Sequence, residues 1–279
     1  MYLQLLLCPL LVSWIILLHT CGHSALAEQE IDGAELAKVA LPSDIHRRVI
    51  GGESMTNQKL GGYLVALRYR GEFICGGTLI NDRIVVSAAH CFIGRGLKNQ
   101  WIIEGNISTL SETGVRVGLV DVVRPAAFRE DDMHMDVAVL LLRKPIRGKS
   151  INPLSLCSKH LPAGEHLRVS GWGLIDPNAS TPHMHLRSVV VPILQKKQCK
   201  KTYRASVFLT DSMFCAGVLG QKDACTFDSG GPMVYGKQLC GIVSFGIGCA
   251  SHKFPGVYTD VYYVRPFIEK TMASLLKRK

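Results

Sequence analysis

The chain has 279 residues, a formal net charge of +10, 47% apolar side chains and ten cysteines. Beyond the first 48 residues, about 230 remain, enough for one large domain or two fused small barrels but not for a string of separate domains. The basic balance favours acidic partners over neutral ones, and nothing in the pattern calls for nucleic acid.

In chain order, residues 3–18 form a predominantly apolar stretch broken by Pro9, and Ala25-Leu26-Ala27 gives a small-x-small cleavage pattern ahead of Glu28. Residues 1–27 are therefore predicted to be a secretory signal peptide, and the protein to be secreted and extracellular. An uncleaved signal anchor is the rival, since no basic residue marks the first positions. No second apolar stretch of membrane length follows. Secretion implies an oxidising compartment, and with Cys8 and Cys21 lost alongside the signal, eight cysteines remain for disulfides. Residues 28–48 are polar and cysteine-free and end in Arg47-Arg48 before Val49-Ile50-Gly51-Gly52, so they read as an activation propeptide. With five acids and three bases that segment carries −2, which leaves +12 on the product beginning at Val49.

Beyond Val49, β-branched runs alternate with glycine- and asparagine-containing turns at 63–69, 83–87, 101–104, 114–123 and 137–142. They continue at 167–170, 188–192, 213–215, 232–235, 239–245 and 256–260. This rhythm predicts an all-β sandwich or a pair of barrels. Two helices are predicted. In 264–276, Phe267, Ile268, Thr271, Met272 and Leu275 form one apolar stripe. In 196–203 and just beyond, Lys196, Lys197, Lys200, Lys201 and Arg204 share one side. That side is either a solvated face or, with Lys277-Arg278-Lys279, a site for a polyanion. Asn106-Ile107-Ser108 and Asn178-Ala179-Ser180 are glycosylation acceptors.

The segment Cys225-Thr226-Phe227-Asp228-Ser229-Gly230-Gly231-Pro232 sets a serine on a tight turn. A serine hydroxyl needs a base to take its proton and a third group to orient that base. Ser87-Ala88-Ala89-His90-Cys91 offers the base, and Asp136 opens the apolar run 137–142. Asp131 and Asp132 compete for the third role but do not directly precede the strand. His183 and His185, two apart in a proline-flanked loop, and the loop of Glu104 and Glu112 are poor metal sites, so no metal and no cofactor is expected.

These motifs resemble the chymotrypsin/trypsin-like serine proteases. So do Cys75-Gly76-Gly77-Thr78-Leu79-Ile80, Ser170-Gly171-Trp172-Gly173, Gly241-Ile242-Val243-Ser244-Phe245-Gly246 and Pro255-Gly256-Val257-Tyr258-Thr259. The resemblance runs from Val49 to about the C-terminus. It implies an all-β protease domain at 49–279, made of two antiparallel six-stranded β-barrels, at about 49–150 and 151–279. A catalytic cleft would lie between them, the linker near 143–157, and a C-terminal helix on the first barrel.

The resemblance further implies a catalytic triad of His90, Asp136 and Ser229, with Ser244 and Ser87 bonded to the aspartate from behind. Asp223 would floor the primary pocket beside Ala224 and Ser244, with Gly246 and Gly256 as small walls, giving cleavage after Arg or Lys. Ala224, in place of a serine, tilts that preference toward arginine. Met133, Tyr203, Phe245, Ile247 and Thr226 would line neighbouring subsites. The implied disulfides are Cys75–Cys91, Cys199–Cys215 and Cys225–Cys249, which leaves Cys157 and Cys240 for each other. Leu167 and Tyr235 stand where another common bridge would lie.

Cleavage after Arg48, by the enzyme itself or by a furin-like or trypsin-like activator, would free the Val49 amine to pair with buried Asp228. Phe227 departs from the pattern, because the family has glycine where this residue and Ser229 would supply the oxyanion-hole N–H groups. Two functions follow: a secreted, zymogen-activated endopeptidase, or a catalytically impaired homologue that binds proteins or glycans within a protease cascade. The expected partners are protein or peptide substrates and macromolecular protease inhibitors, and a monomer is expected. The Cys157/Cys240 pattern and the wording of the serine motif resemble an insect, seminase-type branch.

Overall fold

A computed structural model describes residues 52–176 and 179–278. The predicted signal and propeptide, with Arg48, Val49 and Asn178, lie outside the described residues. The first elements are β1 (Glu53–Ser54) and α1 (Asn57–Leu60), one helical turn whose N-cap Thr56 accepts from the Lys59 N–H through its hydroxyl. Then β2 (Leu64–Tyr69), β3 (Glu72–Asn81), β4 (Ile84–Ser87), β5 (Trp101–Gly105), β6 (Val115–Val123) and β7 (Ala138–Leu142) close into a barrel in the order β2-β3-β4-β7-β6-β5. All five residues of β7 are buried, since one face fills the barrel and the other lies under the C-terminal helix. That is why 137–142 reads as an unbroken apolar run rather than an alternating one.

The second half contributes β8 (Ser155–Leu156), β9 (His166–Gly171), β10 (Arg187–Pro192), β11 (Met213–Ala216), β12 (Pro232–Tyr235), β13 (Gln238–Phe245) and β14 (Gly256–Asp260). They form one sheet in the order β1-β10-β9-β12-β13-β14-β11, with β8 parallel to β13. This second sheet differs from the implied six-stranded barrel in being closed at one seam by a single bridge, Ile193 to Ala216, rather than by a ladder. Leu194 N–H donates to Cys215 O at 2.8 Å beside it. Pro192 sits at that seam and has no N–H to extend the ladder.

Strand β3 escaped the predicted runs because its centre is Cys75-Gly76-Gly77, and β1, β8 and α1 are too short to show a period. Helix α2 (Lys196–Tyr203) matches its predicted span, whereas α3 (Val261–Leu276) begins three residues earlier than predicted. Its N-cap explains the start: the Asp260 carboxylate accepts from the N–H groups of Tyr262 and Tyr263 at 3.0 and 3.3 Å. Of the predicted stripe, Ile268 and Leu275 are buried and Phe267 and Met272 pack at the core's edge. The helix does not lie on the first barrel alone. It packs on β7 and also on β8, β13 and β14, because Val261 and Val264 extend its buried face toward the second sheet.

Four disulfides join Cys75–Cys91, Cys157–Cys240, Cys199–Cys215 and Cys225–Cys249. The second closes a sequence separation of 83 residues and ties the inter-barrel linker to β13. In the chain-entropy picture, loss of such a loop costs about 4 kcal/mol. Cys157→Ser with Cys240→Ser is therefore expected to lower stability by about that amount in urea unfolding. A change below about 1 kcal/mol would show that this bridge adds little to the unfolded-state constraint.

On α2, Lys196 and Lys200 share Asp211 at 3.1 and 3.2 Å, which leaves Lys197, Lys201 and Arg204 without an ion pair among the described residues. Arg278 is held by Asp121 on β6 at 2.8 Å, and Lys98 also pairs with that carboxylate.

Candidate active site

His90 lies in the 3-10 turn Ala89–Phe92 that follows β4, and the Cys75–Cys91 disulfide fixes that turn to β3. Asp136 directly precedes β7 and is fully buried. Its carboxylate takes the imidazole at Nδ1 to Oδ2, 2.8 Å, and the backbone N–H of His90 at Oδ1, 2.9 Å. The Ser244 hydroxyl donates to Oδ2 at 2.5 Å. Asp131 and Asp132 stay outside this contact, with Asp132 engaged by Arg129 at the surface.

Ser87 differs from the expectation. Its hydroxyl donates to Gly76 O at 2.8 Å rather than to Asp136, because β4 sets it against β3. The additional hold on Asp136 comes from Thr259, whose hydroxyl donates to the Asp136 carbonyl at 2.8 Å. Ahead of Asp136, Met135 N–H donates to Ser212 Oγ at 3.1 Å, and His134 Nδ1 lies 3.0 Å from Thr210 Oγ1. Groups from the second sheet thus brace a loop of the first barrel. Short hydroxyl side chains in ordinary runs give no signal for this; only Thr259, inside a motif already singled out, could have been suspected.

Ser229 is carried on a turn clamped from both halves of the molecule. Gly76 N–H donates to Ser229 O at 2.8 Å, Gly230 N–H to Val243 O at 2.8 Å and Gly231 N–H to Asp228 O at 2.9 Å. Gly230 has φ +74°, and a Cβ there would collide with the Ser87 hydroxyl, so this position needs glycine. Ser229 and His90 line the same pocket, although no hydrogen bond joins their side chains. Phe227 adopts φ +74°, the left-handed region that glycine favours. Neither the Phe227 N–H nor the Ser229 N–H donates to any described group. Both are left for an incoming oxygen.

The pocket holds about 350 Å3 and is walled by Ala224, Ser244, Gly246, Gly256 and Tyr258, with Met133, Thr226 and Phe245 also in its lining. Ile247 is exposed and outside that lining. Tyr203 is not a subsite residue: it is fully buried, packs beside Phe245 and Phe254, and donates its hydroxyl to Pro255 O at 2.6 Å. An aromatic ring with a partner for its hydroxyl is more stable inside than at the rim.

Asp223 is buried behind Gly256, where a Cβ would collide with its Oδ1, and that oxygen has no hydrogen-bond partner among the described residues. Burial pushes its pKa up to about 7, opposed by the neighbouring N–H groups of Ala224, Ala250 and Gly256. Asp228 is buried as well. Its oxygens accept from Gly173 N–H at 2.8 Å and Cys225 N–H at 3.0 Å, and burial raises its pKa to about 6. Each carboxyl, its pKa raised by burial, would have its ionised form stabilised by an adjacent cation.

This geometry suits acyl transfer by a serine nucleophile. A family model described as Trypsin matches residues 49–268. The chain belongs to the trypsin family. Seminase of Drosophila melanogaster is 55% identical over 257 residues, covering 92% of this chain and 94% of that protein. Vitellin-degrading protease of Bombyx mori is 35% identical, covering 82% and 87%, and Trypsin-3 of Homo sapiens is 35% identical, covering 91% and 82%. The protein is thus a trypsin-like serine endopeptidase of the insect, seminase-type branch.

Other residues considered in this trypsin-family chain are occupied. Glu104 accepts from Arg68 Nε at 2.6 Å and Gly114 N–H at 3.2 Å, and Glu112 accepts from Ser108 N–H at 2.7 Å. His183 donates from Nδ1 to the His185 carbonyl at 2.8 Å. Cys75, His90 and Cys91 come together, but their sulfurs form a disulfide and are not thiolate ligands. Asn106 is exposed, with φ +62°. Among the described residues no helix is long and apolar enough to cross a membrane.

Proposed function

We propose that this protein is a secreted, zymogen-activated endopeptidase that cuts protein substrates after arginine and, less well, lysine, and that macromolecular inhibitors bind the same cleft. The observation that carries the specificity is the buried Asp223 oxygen without a partner beside the pocket. A guanidinium supplies two parallel donors to such a carboxylate, and Ala224 offers no hydroxyl to help an ammonium. In the reaction, Ser229 Oγ attacks the scissile carbonyl while His90 Nε2 takes its proton. Asp136 holds the imidazole tautomer and stabilises the imidazolium. The N–H groups of Phe227 and Ser229 receive the oxyanion. Collapse expels the amine, which takes the proton from His90, and water repeats the cycle on the acyl-enzyme.

Activation rests on Asp228. Removal of a signal at 1–27 and a propeptide at 28–48 would create the Val49 amine, a cation for a carboxylate that otherwise has two backbone donors among the described residues. Asn106 and Asn178 are proposed glycosylation sites, and Lys197, Lys201 and Arg204 are the cations of α2 left for a polyanion. The test is turnover of matched Arg, Lys and Phe peptides by protein cleaved after Arg48. The expected order is Arg above Lys, with Phe far below; equal turnover of Arg and Phe would overturn the specificity.

The impaired-homologue reading depends on Phe227. The positive φ and the two N–H groups without an acceptor among the described residues support a working oxyanion hole. Phe227→Gly is expected to change kcat on a small arginine ester by less than about tenfold, since the donor is already oriented, where a missing donor costs about a hundredfold or more. A hundredfold gain in kcat would instead identify the native residue as disabling.

A further inference from the structure

Away from the cleft, the outer face of the second sheet carries a groove of about 730 Å3 that shares no residue with the catalytic pocket. On β9, His166 and Arg168 project outward while Leu167 and Val169 are buried. Arg168 is flanked across the sheet by Val190 of β10 and Val234 of β12. Lys59 and Leu60 of α1, with Lys237 from the turn after β12, complete the walls.

Four basic side chains, Lys59, His166, Arg168 and Lys237, line the groove, and no acid among the described residues does. Lys59, His166 and Lys237 have no carboxylate partner among the described residues. Arg168 donates once, from Nη1 to Ser188 Oγ at 3.0 Å, and its nearest carboxylate, the exposed Glu53, lies 3.7 Å away. Most of the guanidinium's donors remain for a ligand. Between the cations the floor is apolar, with Leu154, Val190 and Val234 beside the Tyr63 phenol. Burial pushes that phenol's pKa up to about 12, so it stays neutral as a donor.

We propose that this groove is a docking site, separate from the catalytic cleft, for an extended segment of a partner protein in which acidic residues alternate with apolar ones. Charge complementarity selects an acidic ligand. The apolar floor selects a peptide over a sulfated glycan, which has no apolar side chain to bury. Successive outward residues of β9 stand about 6.6 Å apart, the repeat at which alternate side chains of an extended peptide face one side. Arg168 takes one carboxylate bidentately, Lys59 and Lys237 take others at the rim, and the interleaved apolar side chains cover Val190 and Val234. This site does not depend on how the catalytic cleft is read.

The test uses the full chain carrying Ser229→Ala, so that the probe is not cut, and a fluorescein-labelled nonapeptide alternating glutamate with leucine, followed by anisotropy. Saturable binding that weakens with salt is expected. It should fall at least about tenfold in Lys59→Glu/Lys237→Glu, two exposed positions whose change does not threaten the fold, and similarly in Arg168→Gln. Lys197→Glu/Lys201→Glu on α2 should leave it unchanged. The proposal is overturned if the peptide does not bind, if binding survives the groove variants but is lost in the α2 variant, or if a heparin hexasaccharide binds in the groove and the peptide does not.

Discussion

Ser229→Ala in the Arg48-cleaved protein should lower kcat on an arginine peptide by about a millionfold, the scale on which loss of a catalytic nucleophile outweighs every other single change. Binding of an aromatic amidine to the pocket should hold within about threefold, because Ser229 in the proposed role would meet the scissile group and not the arginine side chain. Stability should also hold: the backbone of the serine turn is fixed by Gly76, Gly230 and Gly231, not by the hydroxyl, which has no hydrogen-bond partner among the described residues. The pair of readouts separates loss of chemistry from loss of fold. Residual turnover above about one hundredth of the parent would assign the nucleophile elsewhere.

The second large effect is expected at Asp223. Asp223→Asn keeps the volume and removes the charge that a guanidinium would meet in a buried site. Loss of one partner of a buried charge pair costs about 4 kcal/mol, so kcat/KM on an arginine peptide should drop about a thousandfold. A phenylalanine peptide should be unaffected or slightly better. The carboxyl's pKa of about 7 adds a pH signature. The cation binds the ionised form, so affinity rises with pH through about 7 and then levels off. From pH 8 to pH 6 the ionised fraction falls, and benzamidine should bind about tenfold more weakly, with proton release measurable by calorimetry in two buffers. For stability the sign is opposite. The folded pKa lies above the unfolded one, so Asp223 contributes stability fully present below about pH 4 and lost as pH rises toward 7. Asp223→Asn should therefore be no less stable than the parent at pH 8. Benzamidine affinity that is flat between pH 6 and 8 would remove Asp223 from the pocket floor.

Much of the fold was legible because burial writes a period into each strand. The runs 232–235 and 256–260 coincide with β12 and β14, and most others fall within two residues of the observed ends. Helix α2 was visible from its spacing of lysines around Cys199 and Tyr203. The failures share one cause. β3 carries Gly76 and Gly77 where a strand signal needs β-branched side chains, yet those residues lie where strands and the serine turn press close together. Tyr203 and Ser87 were assigned to the site by their place in the chain, and the fold turned one ring into the core and gave one hydroxyl to a nearer carbonyl.

The sequence by itself determined most of the strands, β1, β3 and β8 apart, and, through the resemblance its motifs carry, which cysteines pair and that His90 meets Asp136 rather than Asp131 or Asp132. These depend on local period and on residues whose chemistry has few substitutes. Tertiary structure alone decided that Thr259 holds the Asp136 carbonyl, that α3 spans both halves, that the second sheet meets across a single bridge, and that four separated basic residues share one groove. A hydroxyl or a lysine can serve any neighbour within about 3 Å, and which neighbour comes within reach is set by segments far apart in the chain, 123 residues in the case of Thr259 and Asp136.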